Sequence, residues 1–480
     1  MNLNTHFVFD GKLKRNLFIG MGLGVLCLVW SAVGDDEYHT RFWSNYLHNA
    51  VFFTGIAFTA MFFLAAQITA FAGWIVAIKR VWEAMSQFML IGLVLLLVIV
   101  AGVWGHFHHL YHWNTPGITD PGSPVYDEII AGKSGFLSPV FFTIGTLGFL
   151  GIWYFWAYKM RQNSLAQDQN ETASFDYYKK ERKWAASFLP LGGFLSTVFL
   201  WELIMSVDPH WYSTMFAWYS TISLLLAGLA LMVMMILYLQ SKGYLEYVTR
   251  EHLHDLGKYI FGISVFWMYL WFDQFMLIWY ANVGEETIYF KERMENYPVL
   301  FWGNMLMNFV VPFIILMRND TKRKIGTMFF VCLFVFFGHW WDFFYMIKPG
   351  ARIAAHEAKE LAEGKMTSHQ EAAPINNTDN TAAVESGHAE SSVAAEHGDA
   401  GHGEAHGENH ESLTSFKAGF TIPGLQEIGV FIGFLSLFLF FFFRQLERAP
   451  LLPLKDPFLE ESLHHSTGAH PEGEGGGHDH

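Results

Sequence analysis

The stretch Tyr269-Leu-Trp-Phe-Asp273-Gln274-Phe-Met-Leu-Ile-Trp-Tyr280-Ala-Asn-Val-Gly-Glu-Glu286 decides the fold. It closes an apolar, aromatic run that begins near Lys258 and is long enough to cross a bilayer. Asp273 and Gln274 lie inside that run. An ionised carboxylate at the centre of a membrane helix costs roughly 2.5–3.5 kcal/mol even on the lenient insertion scale. Such a group is not kept in lipid for packing, so Asp273 is expected to face a bundle interior. Tyr269 and Tyr280 share its helical face. Two roles stay open for Asp273: a proton-exchanging group, or a neutral acid hydrogen-bonded between helices.

Working outward, runs of about 18 or more apolar residues read as membrane helices. Ten are present, at roughly 16–34, 47–73, 86–107, 137–158, 185–206, 214–239, 258–281, 299–317, 325–346 and 425–443. Of the 480 residues 52% are hydrophobic and 18% aromatic, which a soluble domain does not need and a bundle in lipid does. The expected fold class is an all-α integral membrane protein of ten transmembrane helices. The first run, with Lys12 to Arg15 before it and Ser-Ala-Val-Gly at its end, resembles a signal peptide but is long for one.

The net charge of −14 gives no reason to expect nucleic acid as a partner. Much of it lies in 351–416, a low-complexity stretch with twelve acidic residues, three Lys or Arg, and seven histidines. Such a composition does not offset its own ordering entropy. Cys27 and Cys332 are too few for an iron–sulfur cluster, which takes four thiolates, and no C-x-x-C-H haem attachment is present. If the N-terminus is cytoplasmic, the inner segments hold 21 of the 30 Lys and Arg and the outer segments 9. The positive-inside rule then puts both termini in the cytoplasm.

In that topology the third, fifth, seventh and ninth helices run outward. Their ionisable residues fall in the last third: His106, Glu202, Asp273, and His339 with Asp342. Together with Asp208 they are expected to form a polar layer near the outer surface that carries protons, His339 and Asp342 pairing directly across i and i+3. The same groups could instead only cross-link the bundles. A quinone headgroup would sit in this layer, with Tyr269, Gln274, Tyr280 and His210 as candidate contacts. The inner half offers mainly neutral groups such as Gln67, Thr197 and Ser264, with Lys79, Arg80 and Glu83 near its boundary. His108 with His112, or His109 with His112, has helical metal spacing if the third helix continues. No carboxylate or thiolate completes such a site, and no metal is assigned.

Several runs carry a family resemblance: Gln274 to Thr287, Asp208-Pro-His-Trp-Tyr-Ser-Thr214, His109-Leu-Tyr-His-Trp113, Gly132-Lys-Ser134, His339-Trp-Trp-Asp342 and Pro457-Phe-Leu-Glu-Glu-Ser-Leu-His-His465. The chain resembles NrfD/polysulfide-reductase-type membrane subunits. More closely it is similar to the second of the two such subunits in bacterial alternative complex III, the quinol:cytochrome c oxidoreductase. The family has proline where Gly284 stands, a change expected to touch a loop. The resemblance implies two four-helix bundles, helices 2–5 and 6–9, with helices 1 and 10 outside them. The corresponding divisions are 1–36, 37–213, 214–350, the periplasmic insertion 351–416, 417–446 and a cytoplasmic tail 447–480. It implies a bacterial inner membrane, bound lipid, and quinone (menaquinone or ubiquinone) as the one cofactor to consider. The implied partners are a sister NrfD-like membrane subunit, a multihaem cytochrome c, an iron–sulfur subunit, a monohaem cytochrome c, small membrane subunits, and a cytochrome oxidase as an associated complex. Two other classes remain open. A b-type cytochrome would use His106 and His339 as axial ligands, and a proton-coupled transporter would place its substrate site at the midplane.

Overall fold

The computed structural model describes residues 6–170, 175–362 and 416–466. Most of the low-complexity insertion and the end of the tail lie outside these residues. Among the described residues ten helices are long and apolar enough to cross a membrane: α1 (Gly11–Ala32), α2 (Thr40–Thr69), α3 (Gly73–Gly105), α4 (Pro139–Asp168), α5 (Phe175–Val207), α6 (Thr214–Ser241), α7 (Arg250–Ala281), α8 (Pro298–Leu316), α9 (Ile325–Lys359) and α10 (Leu425–Leu446). The chain is an all-α, multi-pass membrane protein.

Helix ends follow capping chemistry rather than the edges of the apolar runs. α7 starts two turns before Lys258, where Thr249 and His252 satisfy each other's neighbouring N–H groups. α4 starts at Ser138, whose hydroxyl accepts from Phe141 N at 3.3 Å, with Pro139 in the first turn. The last run of the second bundle does not stop at 346; its helix continues to Ala362 through Pro349. The segment after α7, expected to be a loop, forms the amphipathic helix Gly284–Asn296. Gly284 is its first residue, a position where proline is equally at home.

α2 to α5 form one bundle and α6 to α9 a second, joined where α2 packs on α6 and α9. α1 and α10 lie outside both and pack chiefly on each other. Their contact is made of small residues. A Cβ on Gly24 would stand 2.4 Å from the Gly433 Cα, and one on Gly429 would stand 2.2 Å from Cys27 Sγ. Gly20 and Gly24, and Gly429 and Gly433, are spaced as in the small-xxx-small seam that lets membrane helices touch backbone to backbone.

The N-terminal segment and the tail meet at one face of the bundle, the terminal face. Phe7 stacks on Phe443 at 5.4 Å. Ser462 donates to Trp74 O at 2.7 Å and accepts from Ala77 N at 2.9 Å, tying the tail under the α2–α3 turn. The opposite, distal face carries the loop 106–138, the α5–α6 turn and the helix Gly284–Asn296.

A buried polar cluster and its two approaches

α9 brings His339 and Asp342 into the core of the second bundle, both fully buried. Asp342 accepts four hydrogen bonds, the number of lone-pair directions a carboxylate offers. Oδ1 accepts from Asn304 Nδ2 at 2.6 Å and from the Tyr219 hydroxyl. Oδ2 accepts from Ser223 Oγ at 2.8 Å and Trp267 Nε1 at 3.2 Å. The donors come from α6, α7 and α8, so this one carboxylate ties together the whole bundle. Asn304 is itself held by Asn308 Nδ2 at 2.6 Å. Asn308 reaches it from a π turn at Leu306–Val310, just before Pro312, whose missing N–H makes the wider turn inexpensive.

The expected direct pair between His339 and Asp342 is instead a bridged one. Nδ1 of His339 stands 4.0 Å from Asp342 Oδ2. Ser223 Oγ lies between them, 2.9 Å from Nδ1 and 2.8 Å from Oδ2. With Ser223 donating to the carboxylate, the network assigns the proton on His339 to Nδ1. Nε2 is then an acceptor, and it has no partner within the chain.

Toward the distal face, Tyr345 lies one turn beyond Asp342, buried, with its hydroxyl unpaired. The Arg293 guanidinium stands 5.7 Å from the Tyr345 ring centre and 3.4 Å from that of Tyr289. It donates to Asp208 Oδ2 at 2.8 Å. Tyr289 stacks on Trp211 at 3.7 Å, which fixes the helix Gly284–Asn296 against the α5–α6 turn. Burial alone would lower the pKa of Arg293, but Tyr289 and Asp208 outweigh it and raise it.

Toward the terminal face, Ser264 is buried with an unpaired hydroxyl, one turn before Trp267 on α7. Further along, Gln67 Nε2 donates to the Tyr259 hydroxyl at 3.0 Å. Tyr259 lines an open cavity of about 350 Å³ with Trp74, Asp255 and Lys258. Asp255 there pairs with Lys258 and His465, each at 2.6 Å. Sequence reading named Gln67 and Ser264 only as scattered neutral groups.

The other predicted residues do not join this cluster. Glu202 is buried in the first bundle, its carboxylate against Gly145, where a Cβ would stand 2.1 Å from Oε2. Neither oxygen has a hydrogen-bond partner, and the Ser206 hydroxyl one turn later donates to the Glu202 carbonyl instead. Asp273 does not face a bundle interior. It is half-buried on the outer side of α7, between exposed Phe272, Met276 and Leu277, because the buried side of that helix is taken by Trp267, Trp271 and Gln274. Tyr269 and Tyr280 are exposed with it, away from Gln274, so the four candidate quinone contacts do not converge. His210 lies at the distal face, bonded to Asp127 Oδ2 at 2.7 Å.

His106 is exposed in a left-handed conformation that ends α3. The helix therefore does not continue through His112, and the helical metal spacing is lost. Axial pairing of His106 with buried His339 is lost with it. His108 is buried, His109 packs on Tyr38, and His112 lies 3.7 Å from Glu357. Among the described residues no three His, Cys, Asp or Glu side chains are grouped to hold a metal.

Two further charged groupings are buried, and the sequence marks only Lys79, Arg80 and Glu83 of them. At the terminal end Lys79 bonds Glu181 at 2.7 Å and Asp456 at 3.0 Å, while Arg80 bonds Glu83 at 2.8 Å and Asp168. At the distal end Arg41 and Asn45 hold Glu427 at 2.8 and 2.9 Å, and buried Lys348 contacts Ser44 Oγ at 2.8 Å. A separate apolar cavity of about 440 Å³ opens between Lys133, Trp201 and Trp211. Both indole N–H groups are buried without an acceptor.

No family model and no curated protein matches the chain.

Proposed function

We propose that the chain is a cofactorless integral membrane subunit of an alternative complex III-type quinol:cytochrome c oxidoreductase, serving as scaffold and proton path. The observation that carries this reading is the relay His339–Ser223–Asp342, buried between a cavity toward one face and the Arg293–Asp208 pair toward the other. A proton arriving at His339 Nε2 makes an imidazolium. Its Nδ1 proton passes to Ser223 Oγ as the Ser223 proton passes to Asp342 Oδ2. The serine ends unchanged, the histidine is neutral again, and the net result is one proton moved to the carboxylate. Unpaired Ser264, Tyr345 and His339 Nε2 are polar sites of the kind that hold internal water, which would complete the two approaches. Arg293 disfavours a second positive charge near the distal end, so release toward Asp208 would be gated by that pair.

The partners implied by the resemblance, and the orientation with both termini in the cytoplasm, belong to this proposal. Quinone fits less well at Tyr269, Gln274, Tyr280 and His210 than in the 440 Å³ cavity. That cavity is lined by Trp201 and Trp211 and lies within the usual volume range for ligand sites. A quinol bound there would release its protons on oxidation as its electrons pass to the haem-bearing or iron–sulfur partner subunits. The test of assignment is purification from native membrane through a tag on this chain. Haem-bearing partners in fixed ratio, with no haem on this chain after dissociation, are expected. Recovery as a lone protein, or with haem of its own, contradicts the proposal.

A further inference from the structure

One face of α7 points away from the buried relay. Gly262, Phe266, Tyr269, Asp273, Met276 and Tyr280 follow one another at spacings of four, three, four, three and four. That is the a/d rhythm of a helix packed against another helix with a left-handed crossing. Yet no described residue of the chain covers it. Phe266, Tyr269, Met276 and Tyr280 are 41, 58, 40 and 83% exposed. Lipid alone sets no such spacing and accepts apolar side chains at every position.

Asp273 decides between lipid and a partner. It makes no hydrogen bond or ion pair among the described residues, and the buried donors of α7 lie on the other side of the helix. Trp279 and Tyr280 end the helix with exposed rings of the type that mark the membrane interface. Asp273 stands seven residues before Tyr280, about 10 Å deeper at 1.5 Å per residue. Long lysine and arginine side chains snorkel back to water over such a distance, but an aspartate is too short. We infer that this seam is the docking face for a transmembrane helix of a different protein, carrying a Lys, Arg, Asn or Gln donor level with Asp273. A single polar residue in an otherwise apolar seam fixes register, which makes Asp273 the residue that sets how that helix docks. A second copy of this chain does not suit the face. Two copies inserted in the same orientation and related by a two-fold would set Asp273 against Asp273 at one depth, two carboxylates without a donor. The inference does not rest on the function proposed above, since it holds for whichever assembly the chain serves.

The test is photocrosslinking in the native membrane, with the full chain carrying a photoreactive residue at Tyr269 or Met276, and at exposed Ile144 on α4 as control. Adducts are digested and sequenced. At both α7 positions they are expected to map to one transmembrane segment of another protein, with a Lys, Arg, Asn or Gln at the level of Asp273. Asp273→Leu should lower that yield at least fivefold while leaving the melting temperature of the purified chain unchanged, since the residue sits on the surface. Asp273→Asn, which keeps a hydrogen-bonding group, should keep more of the yield than Asp273→Leu. Adducts with lipid only, with α7 of a second copy, or with a helix lacking a donor would each overturn the inference, as would an undiminished yield in Asp273→Leu.

Discussion

Glu202 and Asp342 are both buried carboxyl groups, and their surroundings separate their roles. Asp342 has four donors from three helices; Glu202 has none. Ser223 is the movable part of the relay, because its hydroxyl can turn between His339 and Asp342. Ser223→Ala should leave the chain folded, at a cost of about 1–3 kcal/mol for an unsatisfied buried acceptor, and should slow proton transfer. Thermal unfolding and proton uptake in vesicles measure the two effects separately. Arg293→Leu strands Asp208 and the face of Tyr289; breaking a largely buried pair in this way costs about 3–5 kcal/mol, which detergent-resistance assays would register. Arg293→Lys should recover only part, because lysine lacks the planar stack on Tyr289. The pair His210–Asp127 gives a pH prediction at the distal face. The Asp127 hydrogen bond raises His210 despite its burial. Burial pushes Asp127 up, but the His210 and Ile130 hydrogen bonds prevail and hold it at about 2. A depressed carboxyl stabilises above its ordinary range and loses that as pH falls toward 2. A raised histidine stabilises below its ordinary range and loses that as pH rises through its folded value. The loop held by this pair should therefore be tightest between about pH 4 and 6.5 and loosen on either side. Slowed exchange of the Ile130 amide in that window, and its loss in His210→Ala, checks it. Of these residues, sequence spacing reveals His339 with Asp342. It does not reveal that Ser223 bridges the first pair or that α7 turns Asp273 outward, because both depend on how separate helices are rotated against each other.

At the scale of elements, run length alone exposes all ten membrane helices, since a bilayer demands about 20 apolar residues of each. Their ends are less legible, because a cap such as Thr249 extends its helix past the apolar window. The helix Gly284–Asn296 is hidden for the same reason. It is mostly polar, and only its Tyr289, Phe290 and Arg293 are buried. α1 and α10 are bound by the Gly24–Gly433 contact, where no side chain fits. Gly433→Leu should detach α1 from α10 without unfolding the two bundles. Disulfide crosslinking between cysteines placed on α1 and α10 should fall at least tenfold, while helix content by circular dichroism stays unchanged.

At the scale of the whole molecule, the two bundles, the glycine seam and the folded tail make a frame that does not need the low-complexity insertion. Its two flanks are independently anchored: α9 by its packing on α6 and α2, and the residues before α10 by the Arg41–Glu427 pair. Deleting residues 372–412 should leave the chain in the membrane with its melting temperature intact; loss of the chain would show that the insertion is part of the frame. The frame surrounds one buried relay, and the account stands on protons passing through it. Asp342→Asn keeps the shape of that side chain but cannot take up and release a proton. The deciding measurement is quinol:cytochrome c turnover together with protons released per electron, made on the intact complex in sealed vesicles with this substitution. The account predicts an assembled complex whose proton release falls well below that of the wild type, with turnover reduced less. Wild-type turnover and wild-type proton release in an intact Asp342→Asn complex would contradict it.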